Sequence, residues 1–329
     1  MTVLVTGAAG FIGYHTTTAL LRAGRPVIGL DNLNEYYDPG LKAARLALLQ
    51  EHPRFRFAQI DVADRTAMGS LMAQAPEITE IIHLAAQAGV RYSLIDPYAY
   101  VHSNVLGHLT VIEAARQLPR LRHLVYASSS SIYGDSAEVP FRESDRADTP
   151  VSMYAATKRA DELISRVYGH IYALPQSGLR FFTVYGPWGR PDMAYYSFAR
   201  AICAGEAITV YGDGRLQRDF TYIDDVVAGI LGVLQHPPTS AVPARILNLG
   251  NNHAETVLTL VGLLEASLGR RAIIQFAPRQ VADVGVTFAA IDAIQALTGF
   301  QPSTSLAVGI PRFVAWFKTW HGIDAPITA

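Results

Sequence analysis

The start of the chain constrains its fold more than any other stretch. An apolar, β-branched run, Val3-Leu4-Val5-Thr6, meets Gly7, Gly10 and Gly13 and then a helical pattern from His15 to Ala23. That order predicts a buried strand, a tight turn and a helix. Glycine lets the backbone approach a phosphate closely, and a helix start offers unpaired N–H groups and a positive dipole end. A glycine-rich turn without a ligand would show the same local pattern. Position adds weight: Asp31 closes the next apolar run, Val27-Ile28-Gly29-Leu30, 18 residues beyond Gly13. An acid there meets a ribose 2′-hydroxyl. No arginine follows it, so a 2′-phosphate would face a carboxylate, and the expected dinucleotide is NAD rather than NADP.

Strand-like and helix-like segments alternate up to about Thr183, which predicts an α/β fold with a parallel sheet covered on both faces. The expected strands are Val3 to Thr6, Val27 to Leu30, Phe55 to Ile60, Glu80 to Leu84, His123 to Ala127 and Gly178 to Phe182. Helical patterns cover Leu41 to Gln50, Arg65 to Ala73, Tyr98 to Gln117 and Val151 to Tyr172. Small or polar residues finish the strands, at Asp61, Ala85 to Gly89 and Ser128 to Ser131. In such sheets the ligand crevice lies along that carboxyl edge. Gly186-Pro187-Trp188-Gly189-Arg190-Pro191 then breaks the pattern. Shorter elements follow at Ser197 to Ala204, Ile208 to Tyr211, Asp225 to Gln235, Ile246 to Leu249 and Ser305 to Lys318. The expected division is residues 1–183 as a dinucleotide-binding domain and 184–329 as a smaller substrate lobe, with Ile246 to Leu249 able to return to the main sheet.

A net charge of −1 gives nucleic acid or an anionic membrane no electrostatic hold, so neither is an expected partner. The single cysteine, Cys203, excludes an intrachain disulfide and is expected as a small buried residue. The longest apolar run, Val226 to Leu234, is too short to span a bilayer. The first strand and turn use up the residues a signal peptide would need. A soluble, cytoplasmic protein is the expectation.

Tyr154 and Lys158 stand four apart near the start of a helix, so phenol and ammonium point the same way. A phenol ordinarily ionises near ~10, too high for a base at neutral pH, and a fixed cation favours the phenolate. Tyr-x-x-x-Lys alone occurs by chance in many helices. Beside the dinucleotide turn and a serine-tipped strand it reads as a base and its activator.

Taken as an ordered set, Thr6-Gly7-x-x-Gly10-x-x-Gly13, His83-Leu84-Ala85-Ala86, the serine-rich strand end, Tyr154-x-x-x-Lys158 and Arg218-Asp219-Phe220 resemble the extended short-chain dehydrogenase/reductase family across nearly the whole chain. Glycines three apart, rather than a Gly-x-Gly start, agree with that group. Three segments, Ala127 to Gly134, Leu179 to Met193 and Ala86 to Ser93, resemble the UDP-glucuronate 4-epimerases within the UDP-galactose 4-epimerase group. The resemblance implies a Rossmann-like doubly wound parallel sheet with a mixed α/β C-terminal lobe. It also implies NAD as a retained cofactor, a UDP-sugar substrate, and a homodimer built from the Tyr98 to Gln117 and Val151 to Tyr172 helices.

It further implies residue roles. Ser129, aligned through Tyr133-Gly134, joins Tyr154 and Lys158 as catalytic. The cofactor falls to Gly7, Gly10, Phe11, Ile12 and Gly13, to Asp31, Asn32, Asp61 and Val62, to Leu84, Ala85, Ala86 and Gln87, and to Asn104, Tyr154 and Lys158. Ser130, Ser131, Thr183 and Arg190 are expected on the sugar side, with Arg190 pairing a carboxylate through its planar fork, and Arg91 is expected among the substrate-binding residues. Thr183 stands where galactose-type relatives carry asparagine. Thr209 and Tyr211 seat the uracil, Arg218 the diphosphate and Asp283 the uridine ribose. The Pro-Gly usual before that aspartate is missing, which brings Arg279 or Gln280 into consideration for the diphosphate. Asp224 and Asp225 are expected to cap a helix, and no metal site is expected.

Relatives that dehydrate carry acids at the positions of Ser130 and Ser131, and those that decarboxylate carry one at Ser131; this chain has hydroxyls at both and lacks that second proton carrier. The expected reaction is therefore C4 epimerisation of UDP-glucuronate to UDP-galacturonate. The alternatives are a UDP-glucose/UDP-galactose-type 4-epimerase, a UDP-glucuronate decarboxylase and a non-catalytic NAD-binding module.

Overall fold

In a computed structural model, residues 1–134, 138–279 and 285–323 are described. The first half runs β1 (Thr2–Thr6), α1 (Phe11–Arg22), β2 (Val27–Asp31), α2 (Pro39–Gln50), β3 (Phe55–Gln59), α3 (Arg65–Gln74) and β4 (Ile78–His83). It continues through α4 (Pro97–Tyr100), a π-helical stretch (Val101–Leu106), α5 (Gly107–Ala115), β5 (His123–Ser129), α6 (Met153–Tyr172) and β6 (Gln176–Phe181). Then come β7 (Thr183–Tyr185), α7 (Ala194–Ala204), β8 (Ala207–Tyr211), β9 (Gln217–Tyr222), α8 (Ile223–Leu234) and β10 (Ala244–Leu249). The last elements are β11 (Ala254–Thr256), α9 (Val257–Leu268), β12 (Ile273–Ala277), α10 (Asp292–Thr298) and α11 (Leu306–His321).

Seven parallel strands make the main sheet, in the order β10-β6-β5-β4-β1-β2-β3. Strand alternation splits its core. Val3 and Val5 of β1 pack with Leu20, Leu21, Leu46 and Val226 on one face, while Leu4 packs with Met68, Met72, Val111 and Ile112 on the other. Helices thus cover both faces, as the continuous apolar runs require. The order reverses at β1/β4, which opens the crevice for a ligand at the carboxyl edge.

The first core cluster continues without a break into the C-terminal residues, through Tyr185, Tyr195, Phe220, Tyr222 and Phe313. Here β7, β9 and β11 form a three-stranded sheet, and β8 pairs with β12. Ile246 to Leu249 does return to the main sheet, as β10 in parallel register with β6.

Three expectations change. The first helix begins at Phe11 rather than His15, because Gly13 lies in its first turn. The Tyr98 to Gln117 pattern is one helical path broken by the π stretch, which holds Asn104 bonded to Gln87. Asp224 and Asp225 cap nothing: Tyr222 precedes α8, and the Asp225 carboxylate accepts from Ser303 and Thr304 ahead of α11.

Candidate active site

The glycine turn is required by its own close contacts. Gly7 has φ of +71°, and a Cβ there would lie 2.8 Å from the Ala85 nitrogen; a Cβ on Gly13 would lie 1.9 Å from the Gly7 oxygen. Gly10 precedes α1 with no side-chain cap, so the first amides of the helix have no internal partner. This cradle and its helix start fit a pyrophosphate. Beside it, the Asp31 carboxylate accepts from Ala9 and Leu33 amides at 3.1 and 2.9 Å. Each oxygen keeps a lone pair for a hydroxyl. Asp61 accepts from Asn32 and from the Ala63 amide, farther along the same edge.

Leu84, Ala85, Ala86 and Gln87 form the wall where β4 ends. The Gln87 side-chain nitrogen is buried there with no partner among the described residues, an orphan donor that fits a polar ligand. Asn104 stands behind this wall, its amide spent on the Gln87 main chain and on Thr157. It supports the cleft and does not line it.

Ser129 ends β5, and Ser152 caps α6 through the Ala155 amide, which places Tyr154 in the first helical turn. The Ser129 and Ser131 hydroxyls bond each other at 2.7 Å. Ser128 faces away, donating to Glu162 at 2.6 Å. Glu162 also takes a two-pronged pair from Arg180 of β6, at 2.9 and 3.0 Å. Arg180 in turn reaches the Tyr133 hydroxyl, which donates to Asn248 of β10. This buried chain locks β5, β6, β10 and α6 together under the serine tip. Lys158 is buried against Asp161, Nζ to Oδ2 at 3.0 Å, and burial pushes the Asp161 carboxyl up to about 6 despite that cation. Burial likewise drives His83 down to about 3, keeping it neutral beside Lys158.

Across the cleft, Thr183 opens β7, and Arg190 follows in the loop. Arg190 pairs with Asp192 at 3.0 and 2.8 Å, and Tyr36 donates to the same carboxylate at 3.2 Å. Burial opposes the Arg190 charge, but Asp192 holds its pKa above the ordinary value. Thr209 and Tyr211 lie on β8, where the Arg91 guanidinium sits 4.6 Å from the Tyr211 ring centre. Arg218 lies on β9 and donates to the Gln217 carbonyl. Asp283 and Gln280 lie outside the described residues.

Of the expected site residues within the described range, all but Asp61 and Asn104 line one cleft of about 800 Å³. Tyr36, Lys42, Ser152, Asp192 and Phe198 also line it, and sequence reasoning passed over them. Asp192, two residues from Arg190 with the opposite charge, was the readable signal. No group of three or more metal-ligating side chains is present among the described residues.

A model of the NAD dependent epimerase/dehydratase family matches residues 3–250. A probable UDP-glucuronate 4-epimerase of Rhizobium meliloti (strain 1021) is 45% identical over 332 residues, covering 96% of this chain and 97% of that protein. UDP-glucuronate 4-epimerase 1 of Arabidopsis thaliana is 47% identical, covering 98% and 78%. Among solved structures, UDP-glucuronic acid 4-epimerase from Bacillus cereus, in complex with UDP-glucuronic acid and NAD, superposes with a TM-score of 0.90 at 31% identity, covering 97% of this chain and all of that one. Sequence and fold agree over nearly the full length, and the chain belongs to the NAD dependent epimerase/dehydratase family, within the extended short-chain dehydrogenase/reductases.

Proposed function

We propose that this protein is an NAD-dependent UDP-glucuronate 4-epimerase, interconverting UDP-glucuronate and UDP-galacturonate through a 4-keto sugar. One observation carries the reading: the Ser129 to Ser131 hydroxyls, Tyr154, Thr183 and Arg190 line a single cleft, with no acid on the serine tip. The relatives and the structural neighbour named above support the substrate.

Gly7 to Gly13 and Asp31 would hold NAD, assisted by Asn32, Val62 and the wall from Leu84 to Gln87. When bound, NAD⁺ would supply the hydride acceptor and donor for C4 of the sugar. Tyr154 takes the proton from the 4-hydroxyl and later gives it back; Ser129 hydrogen-bonds the same oxygen. Lys158, four residues on along the same helix face, assists Tyr154. The 4-keto uronate is a β-keto acid, prone to losing CO₂. Arg190, Thr183, Ser130 and Ser131 hold its carboxylate so that the C–C bond stays out of line with the carbonyl π system. Thr209, Tyr211 and Arg218 take the uridine diphosphate in the 184–329 lobe, with Arg91 closing over Tyr211. A cytoplasmic homodimer supplying polysaccharide synthesis belongs to the same proposal; no described helix is long and apolar enough to cross a membrane.

Incubating the purified protein with UDP-glucuronate and no added NAD, followed by mass and NMR analysis, is the test. UDP-galacturonate is expected. Equal turnover of UDP-glucose, or CO₂ as the main product, would overturn the reading.

A further inference from the structure

Arg190 is carried by a loop that is held from behind by residues outside the substrate site. Three consecutive carbonyls before it, those of Pro187, Trp188 and Gly189, each accept a side-chain hydrogen bond. His15 of α1 donates to Pro187 at 2.9 Å. Arg45 of α2 donates to Trp188 and, at 3.2 Å, to Gly189. The other arm of the same guanidinium donates to the Ala9 carbonyl in the glycine turn at 3.0 Å and to the Tyr37 hydroxyl at 2.8 Å.

Arg45 is fully buried, and all these bonds go to carbonyls and a phenol, none to a carboxylate. Burying a guanidinium without a counter-charge is costly, and truncating it would leave carbonyls unpaired. The loop it holds is strained: Trp188 has φ of +59°, rare for a bulky side chain. Its indole is wedged among Tyr14, Trp316 and Trp320, with ring centres 5.2 to 5.6 Å apart. Gly189 passes so close to Tyr195 that an added Cβ would collide with its hydroxyl at 1.8 Å.

We propose that Arg45, assisted by His15, is a positioning residue: it fastens the Arg190 loop to the glycine turn, so that the grip on the sugar's C6 group is set from the cofactor side of the sheet. The inference rests on the reading of Arg190 as the carboxylate partner, and the strain at Trp188 is what the fastening sustains. Cofactor turn and substrate loop thereby share one guanidinium.

The chain has three tryptophans, and all three sit in this cluster, so intrinsic fluorescence reports the loop directly. Holoenzyme with Arg45→Met, Arg45→Lys or His15→Phe is compared with the unaltered protein by emission spectrum, bound NAD per chain, and calorimetric affinity for UDP-glucuronate, UDP-glucose and UDP. In Arg45→Met the emission should shift to the red as Trp188 gains water, and UDP-glucuronate should bind about tenfold more weakly while UDP changes less than about twofold. Arg45→Lys should recover part of both effects, and His15→Phe should show a smaller shift. Unchanged emission, or equal weakening of all three ligands, overturns the proposal. If Arg45→Met does not fold, the lysine and His15 variants decide by the same two readouts. A red shift with equal affinity of the unaltered protein for UDP-glucuronate and UDP-glucose would support the fastening and reject the carboxylate role of Arg190 instead.

Discussion

In the proposed mechanism the chemistry turns on Tyr154. Tyr154→Phe removes the only group assigned to carry the 4-hydroxyl proton and should lower kcat about a thousandfold, with NAD still bound, as measured by product formation and cofactor content. Unchanged turnover would contradict the mechanism. The buried histidines give a second outcome. Burial holds His83 near 3 and His123 near 4, and pushes His108 well down. Each folded value lies below the ordinary 6.5, so the unfolded chain takes up protons first on acidification, and stability present at neutral pH is lost as pH falls from about 6.5 toward 4. At pH 5 His83 and His123 should each cost about 2 kcal/mol. Asp161 and Asp219, pushed up to about 6, act in the opposite direction and offset part of this. Scanning calorimetry should show a lower Tm at pH 5 than at pH 7; an equal or higher Tm would contradict the balance. Tyr154, Lys158, Gly7 and Asp31 were legible because their spacing is local. Arg45 and His15 were not, since their partners lie 143 and 172 residues away and an arginine on an amphipathic helix looks like a surface charge.

Between elements, the decisive tie is Glu162 with Arg180, joining α6 to β6 under the serine tip. Removing one partner of a buried, hydrogen-bonded pair strands the other charge. Glu162→Ala should destabilise the fold by about 3–5 kcal/mol in denaturant unfolding of the holoprotein. A loss below 1 kcal/mol would show that water or another group compensates. The large strands were legible because runs buried on both faces are continuously apolar. The three-residue strands β7 and β11 were not, because segments that short take their conformation from distant partners such as Thr183 with Phe220, and β9 and β12 interrupt their apolar residues with polar ones. Helix α9 was missed as well: Val257 to Leu268 is apolar with a weak one-sided pattern, so periodicity has little to report.

For the whole molecule, an apolar row stays open to solvent. Tyr98 is 84% exposed on α4, and Leu163, Val167 and Ile171 are half or more exposed on α6. Their spacing puts the α6 residues on one helix face. Such a patch suits the proposed pairing with a second copy. Sedimentation should give twice the 35.8 kDa chain mass, and the double substitution Leu163→Glu with Ile171→Glu should halve it. A monomer in the unaltered protein would remove the dimer from the proposal. The general architecture was readable from the alternation of strand and helix.

The sheet order bears on how the chain is made. Strand β6 ends at Phe181 and is fully buried, yet its outer neighbour β10 begins only at Ala244. During synthesis at about 5–20 residues per second, the nascent sheet therefore presents Gln176 to Phe181 as an open edge for several seconds before its mate leaves the ribosome. An unpaired edge is a template for pairing with another chain. Expression yield in this protein should thus depend on translation speed and chaperone supply across the 182–249 interval, a vulnerability that the finished fold conceals.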